Sequence, residues 1–340
     1  MDFSYSKTEQ LFLQMIRSFA ENEVKPLAAE VDEQERYPIE TVKKMGKLGM
    51  MGIPVPKEYG GAGLDILTVA MVAEQLAMGC AGIATICAAN ALATFPVLQA
   101  GNEEQKNIWC NCLNEGGMAA FALTEPGAGS DAGAVSCQAK KVDDGYLISG
   151  NKSFITNGPI ADKIALFANT RQEGGIRGLT LFMVDAKAKG VSIGKKEDKM
   201  GIRASSTSEI IFEDCFVPDS QRIGREGRGF KIAMQTLQTS RPVVGALSVG
   251  IAQAALDEAV AYSQQRKQFG AKVSSFQMVQ EMIANMAMKI EAARGLVYRA
   301  CVMQMNNDPQ AAMFSAMSKC YASDIAMEVT TDAVQVMGGV

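Results

Sequence analysis

The chain has 340 residues, 48% hydrophobic and 21% charged, which is the composition of a globular protein too long for one ordinary core. Its net charge of −4 argues against a nucleic-acid partner, because a phosphate-backbone binder needs a basic face. It contains no histidine, which excludes Ser-His-Asp triads, Cys-His dyads, HExxH zinc sites and His-ligated haem.

Residues 1–116 read as helical. Ser6-x-x-Glu9 is a capping box, followed by Phe12, Met15, Ile16, Phe19 and Ala20 at helix spacing. A second helix fits 38–48, with Pro38 early and Gly49 just past its end. The run Ile53-Pro-Val-Pro-Lys-Glu-Tyr-Gly-Gly-Ala-Gly63 is a rigid turn followed by a flexible one. Helices are expected over 65–78 and 82–100, and from Gly101 to about Asn114. No uninterrupted apolar run reads as a membrane span, and the polar start MDFSYSKTEQ predicts a cytoplasmic protein.

The period changes over 117–228. Short runs at 118–123, 135–141, 145–149, 153–156, 163–168, 179–184, 192–195 and 209–212 are punctuated by Gly, Asp and Asn. Eight short strands at this spacing predict a small antiparallel barrel or sandwich. Residues 229–340 return to long helices. Val244, Leu247, Ile251, Ala255, Ala259 and Tyr262 form one apolar stripe. Val279, Met282, Ile283, Met286, Ile290, Ala293, Val297 and Ala300 form a second, and a third helix fits 309–337. Such stripes suit a bundle core or, in part, a subunit interface. The expected class is α+β: a helical domain at 1–116, a β-domain at 117–228 and an incomplete helical bundle at 229–340.

Cys80, Cys87, Cys110, Cys112, Cys137, Cys215, Cys301 and Cys320 form no CxxC pair, so they read as reduced, mostly buried thiols and no metal is expected. The stretch 124–133 invites comparison with a dinucleotide fingerprint. Gly127, Gly129 and Gly133 miss the GxGxxG register by one residue, and the loop leads to a strand rather than a helix. Glycines here permit positive φ and close backbone approach to a flat ligand, and Thr124, Ser130 and Thr156 add hydroxyls that donate and accept.

Phe121-Ala-Leu-Thr-Glu-Pro-Gly-Ala-Gly-Ser-Asp131 resembles the signature of the acyl-CoA dehydrogenase family. Tyr59-Gly-Gly-Ala-Gly, Phe154-Ile-Thr-Asn-Gly, Lys199-Met-Gly-Ile-Arg, Gly224-Arg-Glu-Gly-Arg-Gly-Phe230, Arg266-Lys-Gln-Phe-Gly270 and Gln335-Val-Met-Gly-Gly339 follow in the family's order and spacing. The resemblance implies FAD as cofactor. Phe121, Leu123, Thr124, Gly129 and Ser130 would line the flavin, with Phe154, Ile155 and Thr156 against it and Thr156 near N5. Many relatives carry Trp where Phe154 stands. Arg266, Phe269, Gln277, Gln335, Gly338 and Gly339 match positions that reach the ADP part of FAD across a subunit interface. Arg266 by itself reads as a solvated helix-end cation.

For the substrate, Ser130 matches a position near the pantetheine of acyl-CoA. Gln238 and Arg241 match a CoA-contacting pair that often reads Asp-x-x-Arg. The stretch 80–95 either lines the acyl pocket or serves close helix packing through Ala88, Ala89, Ala91 and Ala93. The implied reaction is α,β-dehydrogenation of a short- or medium-chain acyl-CoA, with electrons passed to electron-transfer flavoprotein, in a homotetramer (or homodimer). The alternatives are an enoyl-CoA reductase running in reverse, a non-catalytic acyl-CoA- and flavin-binding relative, and a related flavin monooxygenase. In most relatives the catalytic Glu lies downstream of the match to Gly338-Gly339. In a subset it immediately precedes the match to Arg241, where this chain has Ser240. The expectation is a C-terminally truncated form with its base unassigned. Glu125 and Asp131 read as structural.

Overall fold

The computed structural model describes residues 7–339, so Ser6 of the expected capping box, and the Glu9 side chain, lie outside the described residues. The helices are α1 (Lys7–Phe19), α2 (Ala28–Glu33), α3 (Ile39–Lys47), α4 (Ile66–Gly79), α5 (Ala81–Ala100), α6 (Glu103–Asn114), α7 (Gly229–Gln265), α8 (Gln277–Met305) and α9 (Ala311–Met337). The strands are β1 (Ala119–Ala122), β2 (Gln138–Val142), β3 (Gly145–Thr156), β4 (Lys163–Asn169), β5 (Leu179–Asp185), β6 (Val191–Lys196), β7 (Thr207–Pro218) and β8 (Arg222–Ile223), followed by a small hairpin of β9 (Lys267–Gln268) and β10 (Ala271–Lys272). Two compact units result. One comprises Met1–Ala29, Ile66–Thr85 and Arg241–Val340; the other comprises Glu30–Asp65 and Ile86–Ser240.

In the first unit, helices pack through small residues and one buried ionic knot. A Cβ added to Gly250 on α7 would lie 2.3 Å from the Glu74 carbonyl of α4, so these helices approach at backbone distance. The Glu74 carboxylate is buried and accepts from Arg294 Nε at 2.8 Å and the Tyr298 hydroxyl at 2.9 Å, both on α8. The α8 stripe is buried at Met286, Ile290, Ala293, Val297 and Ala300, as its 3.6 period requires. The expected α7 stripe is off by one position. Val244 is exposed and Leu247, Ile251, Ala255 and Tyr262 are half-buried; Ala259 is buried as expected, with Val243, Ala246, Val249, Ala252 and Leu256 buried beside it. The close backbone approach at Gly245 and Gly250 sets this face, where an added Cβ would lie 2.9 Å from Val297 and 2.3 Å from the Glu74 carbonyl.

The second unit is built on a mixed sheet of order β6-β7-β3-β2-β4-β5-β8. It does not close into a barrel: β6 and β8 end the ladder. It is also not wholly antiparallel, since β1 pairs with β4 in parallel, Phe121 opposite Ala165, and β2 meets β4 in parallel at Gln138 and Asn169. The runs 145–149 and 153–156, expected as two strands, are one strand, β3, whose ladder to β7 shifts register between Ile148 and Gly150 and between Lys152 and Ile155. β7 is likewise longer than its apolar run, because it pairs along most of β3. Trp109 of α6 is fully buried beside the sheet and donates from Nε1 to Thr94 Oγ1 at 3.1 Å. At the start of α6, Asn102 and Gln105 form a reciprocal capping box.

Among the described residues two helices, α5 and α7, are long and apolar enough by length and composition to cross a membrane, although polar residues interrupt the apolar run in both. In the fold 72% of the apolar window of α5 is buried, the environment of a core helix. None of the eight cysteines forms a disulfide. Burial pushes the Cys87 thiol up to about 12 and the Cys137 thiol up to about 11, which keeps both protonated and unreactive at neutral pH.

Candidate functional site

β1 delivers the chain to the loop that carries the first group of predicted ligand contacts. Phe121, at the end of the β1–β4 pairing, is half-buried with its ring 5.1 Å from that of Phe167. Beyond Leu123 the chain makes a tight reversal in which Glu125 and Ala128 exchange two backbone hydrogen bonds of 3.1 Å across Pro126-Gly127. Gly127 and Gly129 are exposed and neither has positive φ, so the expected reason for glycine is wrong. An added Cβ at either would meet nothing within 4 Å among the described residues. The chain's own backbone does not demand glycine there, and the space before both residues is open to a flat ligand.

The positive φ values fall instead on Phe154 (58°) and Asn157 (65°) at the end of β3. The register shift after Lys152 lifts Ser153 and Phe154 out of the β3–β7 ladder and leaves the Phe154 ring 64% exposed. Non-glycine residues in this region carry strain, and such strain persists only when the surroundings fix it. At Asn157 the fixing is explicit. Its buried Nδ2 donates to Ala119 O (3.2 Å), Ile86 O (3.1 Å) and Asn90 Oδ1 (3.4 Å), and Asn90 Oδ1 also accepts from Ala119 N at 2.7 Å. The Oδ1 of Asn157 is buried without a partner among the described residues.

The loop and the bulge meet at a buried ion pair. Lys152 Nζ, fully buried, donates to Glu125 Oε1 at 2.6 Å and to the Leu123 carbonyl at 3.0 Å. The Glu125 carboxylate also accepts from Ser136 N (2.7 Å), Ser136 Oγ (2.6 Å) and Cys137 N (3.0 Å). Ser153 N donates to the Thr124 carbonyl at 2.9 Å. Burial pushes the Glu125 carboxyl up, but the Lys152 charge and its hydrogen bond, with those of Ser136, outweigh burial and hold it below the usual carboxylate range. Burial also pulls the Lys152 amine below its ordinary value against the pull of its neighbours.

Thus Phe121, Leu123, Thr124, Gly129, Ser130, Phe154, Ile155 and Thr156 lie on two segments joined at this node. Leu123 and Ile155 are buried, 6% and 2% exposed, and present little surface to a ligand. The hydroxyls of Thr124, Ser130 and Thr156 have no hydrogen-bond partner among the described residues. Three unpartnered hydroxyls, two open glycines and one exposed aromatic ring suit the polar edge and flat face of an FAD ring system.

The other predicted residues stand in the first unit, apart from Gln238, which the second unit holds. Arg266, Phe269 and Gln277 belong to the β9–β10 hairpin and the start of α8. Phe269 (φ 52°) and Gly270 (φ 77°) form its tight turn, with the Phe269 ring 95% exposed and edge-on to Phe276 at 6.2 Å. Gln335 is exposed on the last turn of α9, and Gly338 (φ 69°) ends that helix beside Gly339. Gln238 and Arg241 are one turn apart on α7, with Ser240 buried between them and Arg241 exposed. Asn90, Asn157 and Lys152 escaped the sequence reading. The one available signal for Asn157 was its place before Gly158 in the Thr-Asn-Gly turn, where Asn tolerates left-handed φ.

Comparison with known proteins bears on the same residues. Family models described as acyl-CoA dehydrogenase N-terminal, middle and C-terminal domains match residues 6–117, 120–215 and 227–340. A short-chain specific acyl-CoA dehydrogenase of Clostridium acetobutylicum is 47% identical over 341 residues, covering 100% of this chain and 90% of that protein. The structure of butyryl-CoA dehydrogenase from Megasphaera elsdenii superposes with a TM-score of 0.97 at 42% identity, over 100% of this chain and 90% of that one. A chain in a structure described as electron transferring flavoprotein of Acidaminococcus fermentans, towards a mechanism of flavin-based electron bifurcation, gives 0.97 at 44% with the same coverage. Matched along its length by all three domains of one family, the chain belongs to the acyl-CoA dehydrogenases, a family of FAD-dependent enzymes.

Proposed function

We propose that this acyl-CoA dehydrogenase removes the α- and β-hydrogens of a short-chain acyl-CoA to give the trans-2-enoyl thioester, and hands the electrons to an electron-transfer flavoprotein. The observation that carries the reading is the open face at Gly127 and Gly129 beside the unpartnered Thr124, Ser130 and Thr156 hydroxyls. The short-chain specificity of the C. acetobutylicum relative supports the chain length, and the A. fermentans structure supports the electron acceptor. FAD, when bound, supplies the two-electron acceptor for the hydrogen leaving the β-carbon. The chain's own work is placement: Thr124 and Thr156 offer hydrogen bonds to the ring edge, Phe154 covers a ring face, and Ser130, Gln238 and Arg241 hold the CoA moiety. The α-proton needs a carboxylate base as the hydride departs, and no residue of this sequence is assigned that role.

Anaerobic mixing of the FAD-loaded protein with a panel of saturated acyl-CoA esters tests the reading. Butyryl-CoA should perturb the flavin absorption and compete for binding better than octanoyl- or palmitoyl-CoA. Stronger binding of the long chains would refute the short-chain assignment. A protein that takes up no FAD would refute the whole reading.

Assembly as a homotetramer is part of the same proposal. Met278, Met288, Met327, Val334 and Phe269 are exposed apolar residues of α8, α9 and the hairpin, at 63–95%. Arg266, Gln277 and Gln335 would then serve an FAD held by another copy. Light scattering should read about four chains per particle, with Phe269→Asp shifting the particle to smaller mass and lowering FAD occupancy together. A monomer that carries full FAD would overturn it.

A further inference from the structure

We propose that the buried Glu125–Lys152 pair is a positioning device that makes the two ligand-facing segments, 123–130 and 153–156, one rigid surface. The inference rests on the reading of that surface as the flavin face. Neither carboxylate nor ammonium reaches that face: Glu125 is 4% exposed and Lys152 is 0% exposed. Both therefore act through the backbone they hold.

The two partners are 27 residues apart in sequence and come from separate elements. Lys152 stands at the last regular pair before the register shift, so the two residues that follow it have left the ladder to β7. What replaces the lost ladder is the node. Ser153 N donates to Thr124 O, Lys152 Nζ donates to Leu123 O, and the Glu125 carboxylate gathers Ser136 and Cys137 from the far end of the same loop. One carboxylate thereby closes the loop on itself and fastens it to the bulge. The carbonyls of Leu123 and Thr124 are thereby both tied to the β3 bulge, one by a side chain and one by the backbone. The wall behind the node is tight: a Cβ on Gly150 would lie 2.8 Å from Cys137 Cα, so the loop cannot retreat. An apolar pair of the same volume would fill the space as well or better for stability. It would not aim the Leu123 carbonyl or gather the Ser136 and Cys137 amides, and direction is what the ion pair adds.

The double variant E125L/K152M separates the two roles, because it removes both charges and keeps the volume. It should melt within a few degrees of the parent protein yet bind FAD at least about tenfold more weakly, with the fine structure of the flavin absorption band blurred. A double variant with the parent's FAD affinity and flavin spectrum overturns the inference. Hydrogen exchange on the unmutated protein gives a second decision that needs no variant to fold. The amides of Ser136, Cys137 and Ser153 should open at one common rate, slower than those of Gly127 and Gly129. Exchange of Ser153 at a rate independent of Ser136 and Cys137 overturns it too. Failure of the parent to bind FAD is a distinct outcome: it removes the flavin reading, while the exchange rates still decide whether the node is one unit.

Discussion

Replacing Lys152 by Met should lower the unfolding free energy by about 3–5 kcal/mol at neutral pH, because it strands the buried Glu125 carboxylate. The loss of one hydrogen bond is the smaller part. Glu125 keeps its bonds from Ser136 and Cys137, but the cation paired with it is gone. The pH dependence identifies the cause. In the parent, Glu125 sits below the ordinary carboxylate value of about 4.3, so the unfolded chain binds more protons near and below that pH. The stabilisation is therefore present above about pH 4.3 and is lost as the pH falls through the folded value. In K152M the burial that already opposes ionisation meets no counter-charge, and the carboxyl moves above its ordinary value. The variant then gains stability as Glu125 takes up a proton. The gap between the two proteins, measured by urea unfolding, should be widest at pH 7 and shrink on acidification toward pH ~4. A gap that stays constant over that range would mean the loss is packing rather than charge.

The parts of the molecule that follow from local pattern were legible in the sequence. The α8 stripe predicts its buried residues because one face of a 3.6-period helix meets one neighbour. The stripe on α7 misleads because its period fits two neighbouring faces, and the backbone approach at Gly245 and Gly250 selects the one turned by a residue. β3 reads as two strands because bulges interrupt the apolar alternation without ending the pairing. The sheet's openness and its parallel β1 depend on pairings between distant runs, which period alone cannot rank.

The site divides in the same way. The residues proposed to face the ligand are contiguous motif residues, which a sequence displays directly. The residues that hold them are not. Lys152 looks like a solvated strand cation until its partner 27 residues away is known. The positive φ expected at Gly127 and Gly129 occurs at Phe154 and Asn157, because the strain arises where β3 leaves its ladder rather than in the glycine turn. Open space in front of a glycine is a fact about surroundings, and no sequence carries it.

Substituting Ser240 by Glu should raise the rate of flavin reduction by butyryl-CoA in the 340-residue polypeptide by roughly 10²–10⁴-fold, the usual gain from a well-placed general base. The expectation joins the family pattern, in which a subset of members carries Glu just before the Arg matched by Arg241, to the place Ser240 occupies. It is 8% exposed on α7, and among the described residues its hydroxyl is bonded only to the Leu237 carbonyl at 3.2 Å, so a longer side chain displaces no other side-chain partner there. Near-complete burial would push the new carboxyl above about 4.3, toward the pH at which it must accept the α-proton. Flavin reduction in the variant should therefore rise with pH through that elevated value and level off above it. The cost is stability, about 1–3 kcal/mol for burying a carboxylate with few partners. S240Q matches Glu in size and polarity but lacks its basicity, and it should reduce flavin no faster than the parent. Equal rates for S240E and S240Q, with FAD and butyryl-CoA bound in both, would show that a carboxylate on this turn of α7 does not reach the α-carbon, and the α-proton would then need another acceptor.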